Sequence, residues 1–462
     1  MKPFVQKKTL AKKKALALSP VGLALAACGG GGGDGTSSST MTSSSTMAVA
    51  IEFPLTGNNF IDASTQGSKW STSNGPLTYA VANGFSGETW NDISGVNAAL
   101  SLAMAQLEHF TNLQVENLGN FSDPASAANA GATIVLSLDG DLISSNMGDT
   151  VWAVGHYPDN EDTLYDHIAG DMFLNINSAA NYLPAGAYVP GGKGFMLLLH
   201  ELGHTIGLKH PHDDGGSGRL TYEEAGYAQY DDQTYTLMAY DDEFGDVLNA
   251  PSTFMLGDVL GLMSLYGVNQ NTNTGDTTYS FYNSTVRKTL WDASGSDTLD
   301  LTAMTDPVTI YLTDFYSEAD LGIEYGHIIQ NPGTVSQKWH HLLGEYESVS
   351  CGSGDDLIFG DENANILSGG AGDDFIGGYE GNDILYGGSG EDFFMLAAGH
   401  GQDIIKDFKL GVDTCGFWNG SNYDASLATL SSDVNGDAIY HLADGSSLLL
   451  EGVLHADIAS IA

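Results

Sequence analysis

His200, Glu201, His204 and His210 stand in the stretch His-Glu-Leu-Gly-His-Thr-Ile-Gly-Leu-Lys-His, and their types and spacing specify a metal site. Histidines four positions apart leave the same face of an α-helix one turn from each other, so both imidazoles can grip one ion from one side. Glu201, beside the first of them, is placed to act on water next to that ion. Gly207 lets the chain leave the helix in a conformation that other residues resist, and the turn can bring His210 round as a third ligand. Three neutral nitrogens around zinc keep one position open for water, which hydrolysis requires. A bare His-Glu-x-x-His occurs in many ordinary helices; Gly207 and His210 at their offsets set this one apart.

Such a site needs rigid elements around it. Apolar Phe195, Met196, Leu197, Leu198 and Leu199 lead into the motif and predict a buried helix that carries the ligands into a dry cleft. Val96, Leu100, Met104 and Leu107 recur at helical spacing within residues 93–110. Residues 133–138 and 171–175 read as strands, and a further helix is expected over about 253–266. This order implies an α+β catalytic domain.

Residues 351–395 hold five consecutive nine-residue units, starting at Cys351, Gly360, Gly369, Gly378 and Gly387. They follow the Gly-Gly-x-Gly-x-Asp-x-apolar-x pattern of calcium-binding parallel β-rolls. Glycines permit turns that aim carbonyls inward, the sixth residue adds oxygen ligands, and calcium takes six to eight of these. The eighth residue, Ile358, Leu367, Ile376, Leu385 or Phe394, marks the strand that enters the core. With two units per turn, Asp356, Asp374 and Asp392 should line one edge and Asn365 and Asp383 the other, giving about three shared calcium sites. The second unit is degenerate, so the 365/383 site is expected to be the weakest.

Downstream of the histidines lies Tyr235-Thr236-Leu237-Met238-Ala239-Tyr240. Taken with residues 221–228, the 255–269 stretch and Thr274–Phe281, this resembles the serralysin-type metzincin zinc metalloproteases with a C-terminal RTX calcium-binding β-roll. The resemblance runs from about Gly75 to near Ile405. It implies that Met238 forms an apolar floor under the metal. It also implies that Tyr240 ligates resting zinc and then swings to hydrogen-bond the oxyanion. By the same resemblance, Asp292 and Asp297 belong to an opening calcium turn, and residues 171–175 are the edge strand above the cleft, available to pair with an extended peptide. Protein or peptide substrates, Zn2+ and Ca2+ follow as expectations.

The chain carries 58 acidic and 15 basic residues, a formal charge of −43. Six of the lysines fall within residues 1–27, which hold no acid. An acidic surface of this kind repels nucleic acid and anionic membranes, and a carboxylate-rich roll should be unstable until calcium neutralises it. Residues 1–27 read as a signal segment, a basic region followed by an apolar run too short to span a bilayer. That run ends in Leu25-Ala26-Ala27-Cys28, which resembles a bacterial lipoprotein cleavage box with Cys28 lipidated; ordinary cleavage after Ala-x-Ala is the alternative. Residues 28–74 are expected to be a Gly/Ser/Thr-rich tether and leader, 75–274 the catalytic domain, and 275–462 the roll and C-terminal region. The architecture expected is thus an α+β metzincin-like domain followed by an all-β parallel β-roll. The reading is an exported monomer, extracellular or at the cell surface as an outer-membrane lipoprotein, reaching its place through secretion machinery. Its rivals are a non-catalytic calcium-binding adhesin or scaffold and a zinc hydrolase of some non-peptide.

Overall fold

The computed structural model describes residues 48–84, 87–139, 152–159, 169–175, 188–240, 250–313, 324–334 and 337–459. The signal segment and Cys28 lie outside these residues. An α+β domain comes first and a β-roll follows it, as expected.

Four strands of the first domain are mutually parallel, in the spatial order Val115–Phe121, Leu77–Ala82, Ile134–Leu138 and Met172–Leu174. Ala153–Gly155 adds an antiparallel edge. One face of this sheet packs on the helices Ile93–Phe110 and Lys193–Thr205, with Leu256–Tyr266 completing the layer. The long helix starts where Asp92 accepts the Gly95 N–H, and its expected apolar stripe is fully buried at Leu100, Met104 and Leu107.

Two expectations need correction. Residues 48–74, placed within a tether and leader, instead build the core: Phe60 is fully buried and Trp70 is 4% exposed. The Trp70 indole N–H donates to Thr205 O at 2.7 Å, at the end of the histidine-bearing helix. These aromatics are too sparse to show a period, so composition spoke louder than pattern. The second correction concerns the edge strand. Met172–Leu174 is hydrogen-bonded on both sides and buried, and the cleft edge is Ala153–Gly155.

In the roll, the nine-residue units alternate between two sheets. Leu357–Phe359, Phe375–Gly377 and Phe393–Ala397 stack in parallel in one, pairing Ile358 with Ile376 and Ile376 with Phe394. Ile366–Ala371 and Ile384–Ser389 stack in the other, with Leu367 opposite Leu385. All five of these eighth-position side chains are fully buried. The roll is not wholly parallel. An antiparallel hairpin, Gly326–Gln330 with Lys338–Leu343, is inserted in one sheet, and Thr429–Ser432, Asp437–His441 and Ser447–Leu454 close the other. The inserted hairpin also fastens the two domains: His341 Nε2 donates to Thr234 O at 2.8 Å, and Leu343 joins the first domain's core. Cys351 and Cys415 are both free thiols.

Candidate metal and catalytic site

The histidine helix, Lys193–Thr205, ends in a motif that fixes the third imidazole. Ile206 caps it, the Gly207 N–H bonds His204 O at 3.0 Å, and the Leu208 N–H bonds Gly203 O at 2.8 Å. This is the Schellman arrangement, with the turn residue at positive φ. Gly207 has φ +103°, and a Cβ there would lie 2.4 Å from Ser68 O, so the position requires glycine on both counts.

The reversal brings His210 back over the helix. Its Nε2 lies 3.0 Å from Nε2 of His204 and 3.3 Å from Nε2 of His200. The far nitrogens are all engaged: His200 Nδ1 with Leu237 O at 2.7 Å, His204 Nδ1 with Leu208 O at 3.1 Å, and His210 Nδ1 with Asp213 Oδ2 at 2.8 Å. A carbonyl oxygen can only accept, so Nδ1 of His200 and His204 must carry the proton and their Nε2 a lone pair. Burial, reinforced by neighbouring imidazoles, pushes His200 down to about 4 and His204 well below its usual range. Neutral rings turning lone pairs toward one point at these distances repel unless a cation sits among them. The donor set therefore fits zinc, with each ligand oriented by an oxygen behind it.

Glu201 is buried, and burial pushes its carboxyl up to about 8, partly offset by a hydrogen bond from the Gly155 backbone. Gly155 also permits closeness: a Cβ there would lie 2.3 Å from Glu201 O. The strand edge and the helix therefore meet backbone to backbone. Since His156 N bonds Asp171 O and Asn175 N bonds Trp152 O, alternation turns the peptide groups of Ala153 and Gly155 toward the cleft.

Met238 is buried beneath the helix; a Cβ on Gly203 would meet its sulfur at 2.7 Å. The turn carrying it hangs on Asp258, whose carboxylate accepts from Thr236 Oγ1 at 2.6 Å, Leu237 N at 2.7 Å and Met255 N at 2.9 Å. Tyr240 is 66% exposed, with its ring 4.6 Å from His210 and 6.0 Å from His200. The cleft has a volume of about 470 Å³ and is lined by His200, Glu201, His204, His210, Tyr240 and Tyr157, among others.

Sequence reasoning missed Asp213, Asp258 and Tyr157. A carboxylate three residues beyond the last histidine could have signalled Asp213. Tyr157, whose ring lies 5.4 Å edge-on from His204, carries no positional signal.

In the roll, each expected carboxylate reaches one rung back. Asp374 Oδ1 accepts the Asp356 N–H at 2.9 Å, Asp392 Oδ1 the Asp374 N–H at 3.2 Å, and Asp383 Oδ1 the Asn365 N–H at 2.9 Å. The other oxygen of Asp374, Asp383 and Asp392 is buried without a hydrogen-bond partner. Glycines make room for it: a Cβ at Gly369 would fall 2.1 Å from Asp374 Oδ2, and one at Gly378 1.9 Å from Asp383 Oδ2. Burial is the main force pushing Asp356, Asp374 and Asp383 up to about 7. Buried, unpartnered oxygens on backbone-lined loops fit calcium. Asp403 and Asp413 extend the two ladders, accepting from Asp383 N and Asp392 N. Their spacings of 20 and 21 residues broke the period that marked the others. At the opening turn, Asp297 Oδ1 accepts the Thr277 N–H at 2.8 Å while its Oδ2 is unpartnered, and Asp292 Oδ2 accepts the Tyr279 hydroxyl at 2.6 Å.

Comparison with known proteins agrees with both halves. Residues 352–376 and 376–403 match the RTX calcium-binding nonapeptide repeat. The chain is 31% identical over 250 residues to metallopeptidase AprA of Pseudomonas marginalis, covering 48% of this chain and 50% of that protein. It is 28% identical over 317 residues to metalloprotease AprA of Pseudomonas entomophila, covering 61% and 63%. Against the serralysin of Photorhabdus laumondii the figures are 33% over 198 residues, 38% of each. The chain spans about half the length of the curated relatives it matches. In class it is a metalloprotease relative carrying RTX repeats. More narrowly, its similarity is to the serralysin type.

Proposed function

We propose that the chain is an exported zinc-dependent endopeptidase that hydrolyses protein or peptide bonds and is stabilised by calcium in its RTX repeats. The convergence of three oriented imidazole nitrogens beside buried Glu201 carries this reading. His200, His204 and His210 would hold the zinc, which when bound supplies Lewis acidity to the scissile carbonyl and to the attacking water. Glu201 takes the proton of that water and passes it to the leaving amine. Tyr240, exposed at the cleft, donates its phenol hydrogen to the oxyanion. The Ala153 peptide groups and the Gly155 carbonyl pair with an extended substrate chain. Gly207 and Met238 act by shaping the site.

Calcium ligands in this reading are Asp356, Asn365, Asp374, Asp383, Asp392, Asp292 and Asp297, with the roll beginning near residue 275 and the catalytic domain before it. Export to a calcium-rich exterior matches a roll built on carboxylates. Lipidation at Cys28 belongs to the same reading; labelled palmitate incorporated by wild type and lost in Cys28→Ser is the expected result.

The function is tested with casein or gelatin as substrate. Cleavage by the full chain, abolished by a zinc chelator and restored by zinc, is expected. Folded, zinc-loaded protein that cleaves neither substrate would favour a calcium-bound surface scaffold instead.

A further inference from the structure

Lys209, the residue before the third imidazole, is only 1% exposed. Lysine is almost never so buried without partners. Its Nζ donates to the main-chain carbonyl of Asp213 at 2.6 Å and to that of His210 at 3.2 Å. These carbonyls bracket a tight turn. Within it the Asp213 carboxylate engages Nδ1 of His210 through Oδ2 at 2.8 Å and accepts the Gly215 N–H through Oδ1 at 2.8 Å. Gly215 packs so closely that a Cβ there would lie 3.1 Å from Lys209 Cβ. The turn is thus closed around the lysine from within, and Lys209 is not among the residues lining the cleft.

We propose that Lys209 is a positioning residue for the third metal ligand. By tying the His210 and Asp213 carbonyls together it holds the Asp213 carboxylate on His210 Nδ1, and so aims His210 Nε2 at the other two imidazoles. His200 and His204 need no such device, because the helix fixes both. The inference rests on the metal-site reading.

The test compares wild type, Lys209→Met and Lys69→Met as full chains in calcium. Lys69 is the control: its Nζ donates to Leu265 O and lies over the Phe53 and Tyr266 rings, not against the 210–215 turn. Each protein is stripped of zinc, then titrated with cobalt for its visible spectrum and with zinc against a competing chelator. Lys209→Met is expected to bind zinc roughly 10–100-fold more weakly and to show an altered cobalt band. Lys69→Met should lose stability yet keep the wild-type spectrum and affinity. Wild-type affinity and spectrum in Lys209→Met would overturn the positioning role while leaving the metal site standing. Wild type that binds no zinc would sink both. If Lys209→Met does not fold, Lys209→Gln carries the test, since it keeps an N–H donor but is one atom short. A few-fold weaker zinc affinity supports the role, and an unchanged one overturns it.

Discussion

The two ion-binding regions solve opposite problems. In the cleft every imidazole has its rear nitrogen satisfied by a carbonyl or carboxylate, so the ligands are held by the protein itself. In the roll one oxygen of Asp374, Asp383, Asp392 and Asp403 binds the neighbouring rung, and the other is buried with nothing to bond. The first region is an organised receptor for an ion. The second has left part of its own bonding to the ion, and burial of unpartnered carboxylates is costly. On the proposed reading the difference teaches where each ion acts: on chemistry in one half and on folding in the other.

The largest expected effect keeps the cleft intact and removes its chemistry. Glu201→Gln should bind zinc as wild type does and lose roughly 10²–10⁴-fold in turnover on casein. Turnover near wild type would show that the carboxylate is not the base.

Calcium removal should break the roll while sparing the cleft domain, whereas zinc removal should leave the β signal of both unchanged. Circular dichroism with a calcium chelator or a zinc chelator reads this directly. The pH dependence sharpens it. Asp356, Asp374 and Asp383 are raised to about 7 in the folded chain, against about 3.9 for an unfolded aspartate. Between those values the folded roll keeps protons that the unfolded chain has released, so its ion-free stability falls as pH rises through the window. Calcium-stripped protein should melt at a higher temperature at pH 5 than at pH 8; the reverse order would contradict the ladder.

Tyr240→Phe comes next, with a loss of roughly 10²-fold in kcat and little change in zinc affinity, if the phenol serves the oxyanion rather than the structure. Equal losses in kcat and zinc binding would assign it to the metal instead. Gly207→Ala is the mildest. Its φ of +103° and the nearby Ser68 carbonyl should cost about 1–3 kcal/mol in thermal or urea unfolding of the cleft domain. No measurable cost would mean that the helix terminus relaxes without it.

Legibility in the sequence tracked periodicity. The helix 93–110 and the five repeat strands were readable because their apolar residues recur at fixed intervals, and the metal triad because its offsets are those of one helix and one turn. What escaped had no period. Phe60 and Trp70 are lone aromatics in a polar stretch, yet they fill the core under the histidine helix. Asp403 and Asp413 continue the ladders after a break in register. Asp258 and Lys209 act on the ligands through backbone carbonyls and amides, a relation that only three dimensions disclose. The antiparallel hairpin in the roll, and the edge role of Ala153–Gly155, depended on partners far away in the chain.

The approach of Gly155 to Glu201 has a consequence for what can enter. Because main chain meets main chain there, rotamer changes cannot lift the edge strand off the histidine helix. The position of that edge is set by the contact and by its sheet ladder. On the proposed reading a substrate lies beside that fixed edge as one extended strand, so a folded target is cut only where a segment can be drawn out of its own packing.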